Sequence, residues 1–140
     1  MTLLGKPLKI TGINTKGLGN DQKRLKMFKE WQKFDIVFSS ETHSTKLTNE
    51  DWENEYGGHT IWSNGTGQAR GCAIHSKTYP IAKIYTCSEG RIAIGSCKIP
   101  HIGEVGLVSV YAPTSNFKSD QLKFLDKLIE KVEDINLPII

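Results

Sequence analysis

Residues 8–14 (LKITGIN) alternate apolar and polar side chains, the period of a half-buried strand. Gly17, Gly19 and Asn20 interrupt that alternation, and over residues 21–33 the period becomes helical. There Leu25, Phe28 and Trp31 recur three apart with Met27 beside them, while Lys23, Lys26, Lys29 and Glu30 occupy the opposite side. Asn20 or Asp21 stands where an N-cap is needed. Residues 34–40 (FDIVFSS) follow as a short apolar run with β-branched and aromatic content, which predicts a buried strand. Strand, helix and strand at this spacing form a right-handed βαβ crossover with parallel strands. Asn14 and Glu41 then emerge at one sheet edge, the carboxyl end where such sheets hold ligands.

Farther along, residues 59–62, 71–75, 81–87, 91–98 and 105–111 are short β-prone segments separated by turn-forming stretches. Their spacing predicts an antiparallel meander. A second helix is expected over residues 119–133, with Ser119 as its cap and Leu122, Leu125, Leu128, Ile129 and Val132 as its apolar stripe. Residues 137–140 (LPII) open another strand. Because a strand usually needs 5–6 residues, the expectation is a chain cut just before a third rim residue. The predicted fold class is α/β, a mixed sheet with flanking helices.

The length, 140 residues, suits one domain with a core of its own. Eighteen Lys and Arg against fifteen Asp and Glu give a formal charge of +3, which permits a polyanionic partner without requiring one. The apolar runs fall far short of the roughly 20 residues a membrane span needs, so no membrane partner is expected. The N-terminus does not read as a signal peptide, since Lys6 and Pro7 interrupt its apolar start. Cys72, Cys87 and Cys97 make an odd, widely spaced set that reads as small buried hydrophobes in a reducing, intracellular compartment. Asn64-Gly65-Thr66 reads as a turn.

Glu41 is the most pointed candidate for chemistry. A carboxylate directly after an apolar strand and near the Asn14 amide suits a hard divalent cation, which takes oxygen ligands and keeps several waters. The same position also suits an exposed loop acid or a helix-capping acid. His43 could touch a phosphate or a metal-bound water, or lie on the surface. Tyr111 ends a strand before Ala-Pro, where its hydroxyl could donate to a phosphate oxygen or serve packing. Arg70 and the Lys16, Lys23, Arg24 and Lys26 group could follow a phosphate backbone or form a solvated face. His59, His75 and His101 are scattered without metal-ligand spacing.

Four motifs occur in order along nearly the whole chain: Asn14-Thr15-Lys16-Gly17-Leu18, Ser40-Glu41-Thr42-His43, Arg70-Gly71-Cys72-Ala73-Ile74 and Val110-Tyr111-Ala112-Pro113. Together they resemble the endonuclease/exonuclease/phosphatase superfamily, and within it the apurinic-type endonuclease domain of LINE-like (non-LTR) retrotransposons. The resemblance implies the N-terminal half of a four-layered, DNase I-like α/β sandwich, with residues 1–140 an incomplete domain that stops before the family's Asp-x-Asn motif. It implies Glu41 as a ligand of Mg²⁺ (one or two ions, with Mn²⁺ possible), Asn14 ordering the metal and phosphate region, and Tyr111 on the scissile phosphate. Lys16, Arg70 and His43 would meet the phosphate backbone of DNA, and the reaction would be Mg²⁺-dependent phosphodiester hydrolysis that nicks one strand. The implied partners are DNA and the missing C-terminal half of the domain, and the implied compartment is the nucleus for an active retrotransposon. Ser40 stands where many relatives carry Gln, His75 occupies an apolar position, and the later Asp and His elements are absent. No turnover is therefore expected of this chain alone, a non-catalytic remnant or weak nucleic-acid-binding module being the alternative. A half-domain is also expected to expose a large apolar sheet face and an open strand edge.

Overall fold

The computed structural model describes residues 7–66, 69–113 and 118–140. Strand β1 (Ile10–Asn14), helix α1 (Asp21–Trp31) and strand β2 (Ile36–Ser40) form the expected crossover, with β1 and β2 parallel and Asn14 opposite Ser40. The alternation and the apolar run each begin two residues before the paired strand does. Asn20 caps α1, its side chain accepting the Lys23 N–H at 2.9 Å.

Helix α2 (Lys46–Tyr56) lies where the hydrophobic pattern assigns no element. Its sequence, KLTNEDWENEY, turns inward almost entirely through Trp52 and Tyr56, one turn apart, and its Leu47 is 91% exposed. The terminal signals are nevertheless present. Thr48 Oγ1 accepts the Thr45 N–H at 2.9 Å, and Gly57 closes the helix in the left-handed conformation.

The five later strands do not form one meander. Strands β3 (His59–Ser63) and β4 (Cys72–Ser76) join the first sheet in the order β1-β2-β4-β3, with β4 antiparallel to both neighbours. Strands β5 (Ile81–Thr86), β6 (Ile92–Ile99) and β7 (Gly103–Val110) form a separate antiparallel sheet. Strand β4 takes the central place because every one of its residues is buried, which suits a strand covered on both faces. Ile139 bridges in parallel to Gly106 of β7, so the strand expected at 137–140 does begin on that sheet.

The layers are helices, sheet, sheet and helix. Ile36, Ile61, Cys72 and Ile74 of the first sheet meet Ala93, Cys97, Ile99, Val105 and Leu107 of the second in the central core. The sheets therefore cover each other among the described residues, where the half-domain reading expects a large bare sheet face. On the outer side of the first sheet, Phe28, Trp31, Trp52 and Tyr56 of α1 and α2 pack with Leu18 and Val37. On the outer side of the second, Phe124 of helix α3 (Lys118–Glu133) packs on Ile92 and Ile94, with Leu128 and Tyr85 beside it.

The inward face of α3 keeps only part of the expected stripe, Leu128 and the half-buried Val132, and adds Phe124. Leu122, Leu125 and Ile129 are about half exposed, while Phe124 and Leu128 turn inward and Lys131 lies over the Tyr85 ring. Two overlapping apolar stripes share this helix, and the aromatic one has the larger area to bury. Ser119 lies inside the first turn rather than at the cap. Cys72 and Cys97 are buried and Cys87 is half-buried, all as free thiols.

Candidate functional site

The rim is built from strand ends. Asn14 ends β1, Glu41 follows β2 and Tyr111 follows β7, so one site draws on both sheets. The backbone extends the parallel register beyond the β1–β2 ladder. Thr15 N–H donates to Ser40 O at 2.9 Å, Gly17 N–H to Glu41 O at 2.7 Å and Leu18 N–H to Thr42 O at 3.0 Å. Thr15 is buried, and its hydroxyl reaches Ser40 O and Glu41 O, closing the joint beneath the acid. On the far side, the Thr42 and His43 N–H groups donate to Gly71 O and Arg70 O. A buried chain of hydroxyls, Thr42 to Ser44 to Asn64 Oδ1, fixes that loop from beneath.

Lys16, Glu41, His43 and Arg70 all hold positive φ, between 50° and 62°. The left-handed region is uncommon for residues with a Cβ and is retained where surrounding contacts determine it. Here it aims four charged or polar side chains from three loops at one edge. Two glycines permit the crowding. At Gly17 a Cβ would lie 2.6 Å from His43 Nδ1, and at Gly71 it would collide with Thr42 Oγ1, each at strongly positive φ.

The centre of the site is a hydrogen bond between the two sheets, in which Tyr111 Oη donates to Glu41 Oε1 at 2.7 Å. Asn14 also bonds the Glu41 carboxylate, while its own Oδ1 accepts the Lys16 N–H at 2.9 Å. These bonds, chiefly that from Tyr111, hold the Glu41 carboxyl below the usual carboxylate range, with His43 and Lys16 adding favourable charge. Reciprocally, donation to Glu41 raises the Tyr111 phenol, and Arg91 and Arg70 oppose that rise electrostatically. At neutral pH the pair is thus an ionised acid and a neutral donor.

Arg91 is a rim residue that the sequence reading does not single out. Its guanidinium stands 5.4 Å from the Tyr111 ring centroid, its Nη1 donates to Tyr111 O at 3.1 Å, and its own carbonyl accepts the Tyr111 N–H. Nothing in its spacing marks it, because the stacking exists only once β6 and β7 pair.

Of the basic group read from sequence, Arg24 faces the other way. It is 5% exposed, bonds Glu55 at 2.6 Å and Asp21 at 3.0 Å, and donates to Leu18 O, so it joins α1 to α2 and cannot follow a phosphate backbone. His75 is fully buried against Trp31, Tyr56 and Trp62, with Nε2 2.8 Å from Ser39 Oγ and Nδ1 3.2 Å from Thr60 Oγ1. Burial alone depresses its imidazole to about 3 and keeps it neutral.

Among the described residues no group of three or more His, Cys, Asp or Glu side chains converges as a ready metal cage. Glu41 offers half-exposed, hard carboxylate oxygens, and the Asn14 carbonyl oxygen already serves Lys16. This donor set fits a divalent cation that keeps most of its water, as Mg²⁺ does, and not a closed protein cage. No helix among the described residues is long and apolar enough to cross a membrane.

No protein-family model matches the sequence, and no curated protein matches it. Solved structures do. The catalytic domain of Xenopus laevis APE2 superposes with a TM-score of 0.66 at 19% identity, covering 90% of this chain and 53% of that one. The endonuclease domain of TRAS1, a telomere-specific non-LTR retrotransposon, gives 0.60 at 14% identity, covering 91% and 53%. The 3′ phosphatase NExo from Neisseria, bound to product DNA hairpin, gives 0.62 at 19% identity, covering 91% and 52%. The chain spans about half the length of each. Its architecture is that of the DNase I-like fold shared by these structures, represented over that half.

Proposed function

We propose that the chain carries the Glu41–Tyr111–Asn14 part of a Mg²⁺-dependent phosphodiesterase that nicks DNA, as in retrotransposition. The observation that supports this reading is the 2.7 Å bond from Tyr111 to Glu41, with Asn14 on the same carboxylate. Glu41 would hold the cation, and Asn14 would keep the carboxylate turned to the rim. Tyr111, un-ionised at neutral pH, would turn its single O–H from Glu41 to a non-bridging phosphate oxygen once a cation engages the carboxylate. Lys16, Arg70 and His43 would hold the flanking backbone by charge. The bound cation would offset charge on the phosphate and the leaving oxygen. The base that orients the attacking water, and the rest of the domain, would come from chain other than these 140 residues. In an active retrotransposon the work would be nuclear.

A second reading, binding without turnover, draws on the positive charge gathered at the rim, where Lys16 acts on Glu41 and Arg91 and Arg70 act on Tyr111. Two measurements separate the readings. The 140-residue chain is expected to bind Mn²⁺ by electron paramagnetic resonance and to lose that binding in Glu41→Gln, while nicking no plasmid above background. In a longer chain carrying the remainder of the domain, Glu41→Ala should cut Mg²⁺-dependent nicking by about a thousandfold. An alanine variant that nicks like its parent would refute the metal assignment.

A further inference from the structure

Helix α3 carries a second row of side chains that its own sheet does not use. Lys118, Leu122, Leu125, Ile129 and Glu133 follow at intervals of four, three, four and four, so they line one side of the helix. Leu122, Leu125 and Ile129 are 58%, 47% and 52% exposed, and both end residues are exposed as well. At about 100° per residue, the row lies far around the helix from Phe124, which faces the sheet, and from Lys131, which covers Tyr85 of β5. It therefore looks away from β5 and outward past β7. There Ile135 and Ile139 close over Gly106 on the same sheet face, and Ile139 is 43% exposed. The apolar surface thus runs from α3 to the margin of the second sheet, where no strand of the described residues pairs beyond Ile139.

The charges on the row decide what can cover it. A helix favours acids at its N-terminus and bases at its C-terminus. This row has the reverse, Lys118 at the start and Glu133 at the end, and neither forms an ion pair among the described residues. An identical row laid antiparallel corrects both ends at once. About a twofold axis beside Leu125, Lys118 meets Glu133 of the copy, Leu122 meets Ile129, and Leu125 meets itself. The row is thus self-complementary, as an isologous interface requires. A parallel copy would set lysine on lysine and glutamate on glutamate.

We propose that this face of α3 is a homodimer interface, its occupant a second copy of the chain packed antiparallel on the same helix. It goes beyond the chemistry of the rim, since Glu41 and Tyr111 take no part in it. Two helices packed along one row bury less than the roughly 1,600 Å² of a standard interface. Asp126 borders the row near the axis and sets two like charges across it. The dimer is accordingly weak, with a dissociation constant on the order of 10 μM.

The test is sedimentation equilibrium of the 140-residue chain over concentrations spanning that constant. The chain is expected to pass from monomer to dimer and to stop there. Leu125→Glu, which opposes two carboxylates at the axis, is expected to raise the dissociation constant at least about tenfold. Lys118→Glu alone should raise it about threefold, and Lys118→Glu/Glu133→Lys should return it to near the parent's. Leu47→Glu, at an exposed leucine of α2 in the opposite outer layer, should leave association unchanged. Because the substituted side chains are exposed, melting curves of the dilute variants should overlay the parent's. A monomer at every concentration would overturn the proposal and leave the row to another occupant, such as the rest of the domain. Association that continues past the dimer, or that Leu47→Glu weakens as much as Leu125→Glu, would replace the interface with unspecific apolar clustering. Failure of the double reversal to restore what the single one loses would overturn the antiparallel pairing.

Discussion

The two outer layers of this molecule are built on opposite principles. Over the first sheet, α1 and α2 close an aromatic cluster of Phe28, Trp31, Trp52 and Tyr56 around the buried His75, and Arg24 ties the helices together. Over the second, α3 is held mainly by Phe124 and leaves Leu122, Leu125 and Ile129 half-exposed. The first layer buries polar groups outright, pairing Arg24 with Glu55 and His75 with Ser39 but leaving Tyr56 Oη, Gln32 Oε1 and Trp62 Nε1 without a partner among the described residues. The second leaves its cations along an open cleft, beside the rim where Tyr111 meets Glu41. One layer buries aromatic area, and the other leaves charge exposed at the expense of buried area.

The largest expected effect tests that division directly. Phe28→Ala should cost about 4 kcal/mol in urea denaturation, because its 2%-exposed ring contacts Trp31, Tyr56 and His75. Phe124→Ala, at 9% exposure on a thinner layer, should cost about 3 kcal/mol. Equal costs would erase the distinction.

Next in size is an acid dependence confined to the first layer. The folded His75 imidazole is depressed to about 3 from an unfolded value of 6.5, so the folded state binds fewer protons between those limits. Stability from this group is complete above pH 6.5 and falls as pH drops toward 3, at up to about 1.4 kcal/mol per pH unit. His75→Gln, which can still bond Ser39 or Thr60, should flatten that part of the stability profile. An unchanged profile would assign the acid lability elsewhere.

The smallest effect belongs to the rim. Tyr111→Phe removes the leading cause of the lowered Glu41 pKa, so the carboxyl should titrate nearer its ordinary value. A carbonyl-detected NMR titration measures this, with global stability expected within about 0.5 kcal/mol of the parent. A Glu41 titration that does not move would mean Asn14 suffices to hold the acid.

Much of this was legible in the chain, in particular places and for particular reasons. Asn14 and Glu41 could be placed on one edge because a parallel crossover leaves no other option at that spacing. Helix α2 escaped because hydrophobic periodicity needs more than the pair Trp52 and Tyr56, although Thr45, Thr48 and Gly57 mark its ends. Arg24 read as surface because a charge looks alike whether it meets water or, as here, Glu55.

The sequence by itself determined the strand–helix–strand start, the order of the rim residues and the chemistry each can offer, since period and side-chain type are local properties. Only the tertiary structure decided that β4 enters between β2 and β3, that β5 to β7 form a second sheet, and that Phe124 with Leu128, rather than the full apolar stripe, anchors α3. Those choices depend on which buried surfaces fit together across the core, and the contact between Tyr111 and Glu41, 70 residues apart, exists only after that fit is made.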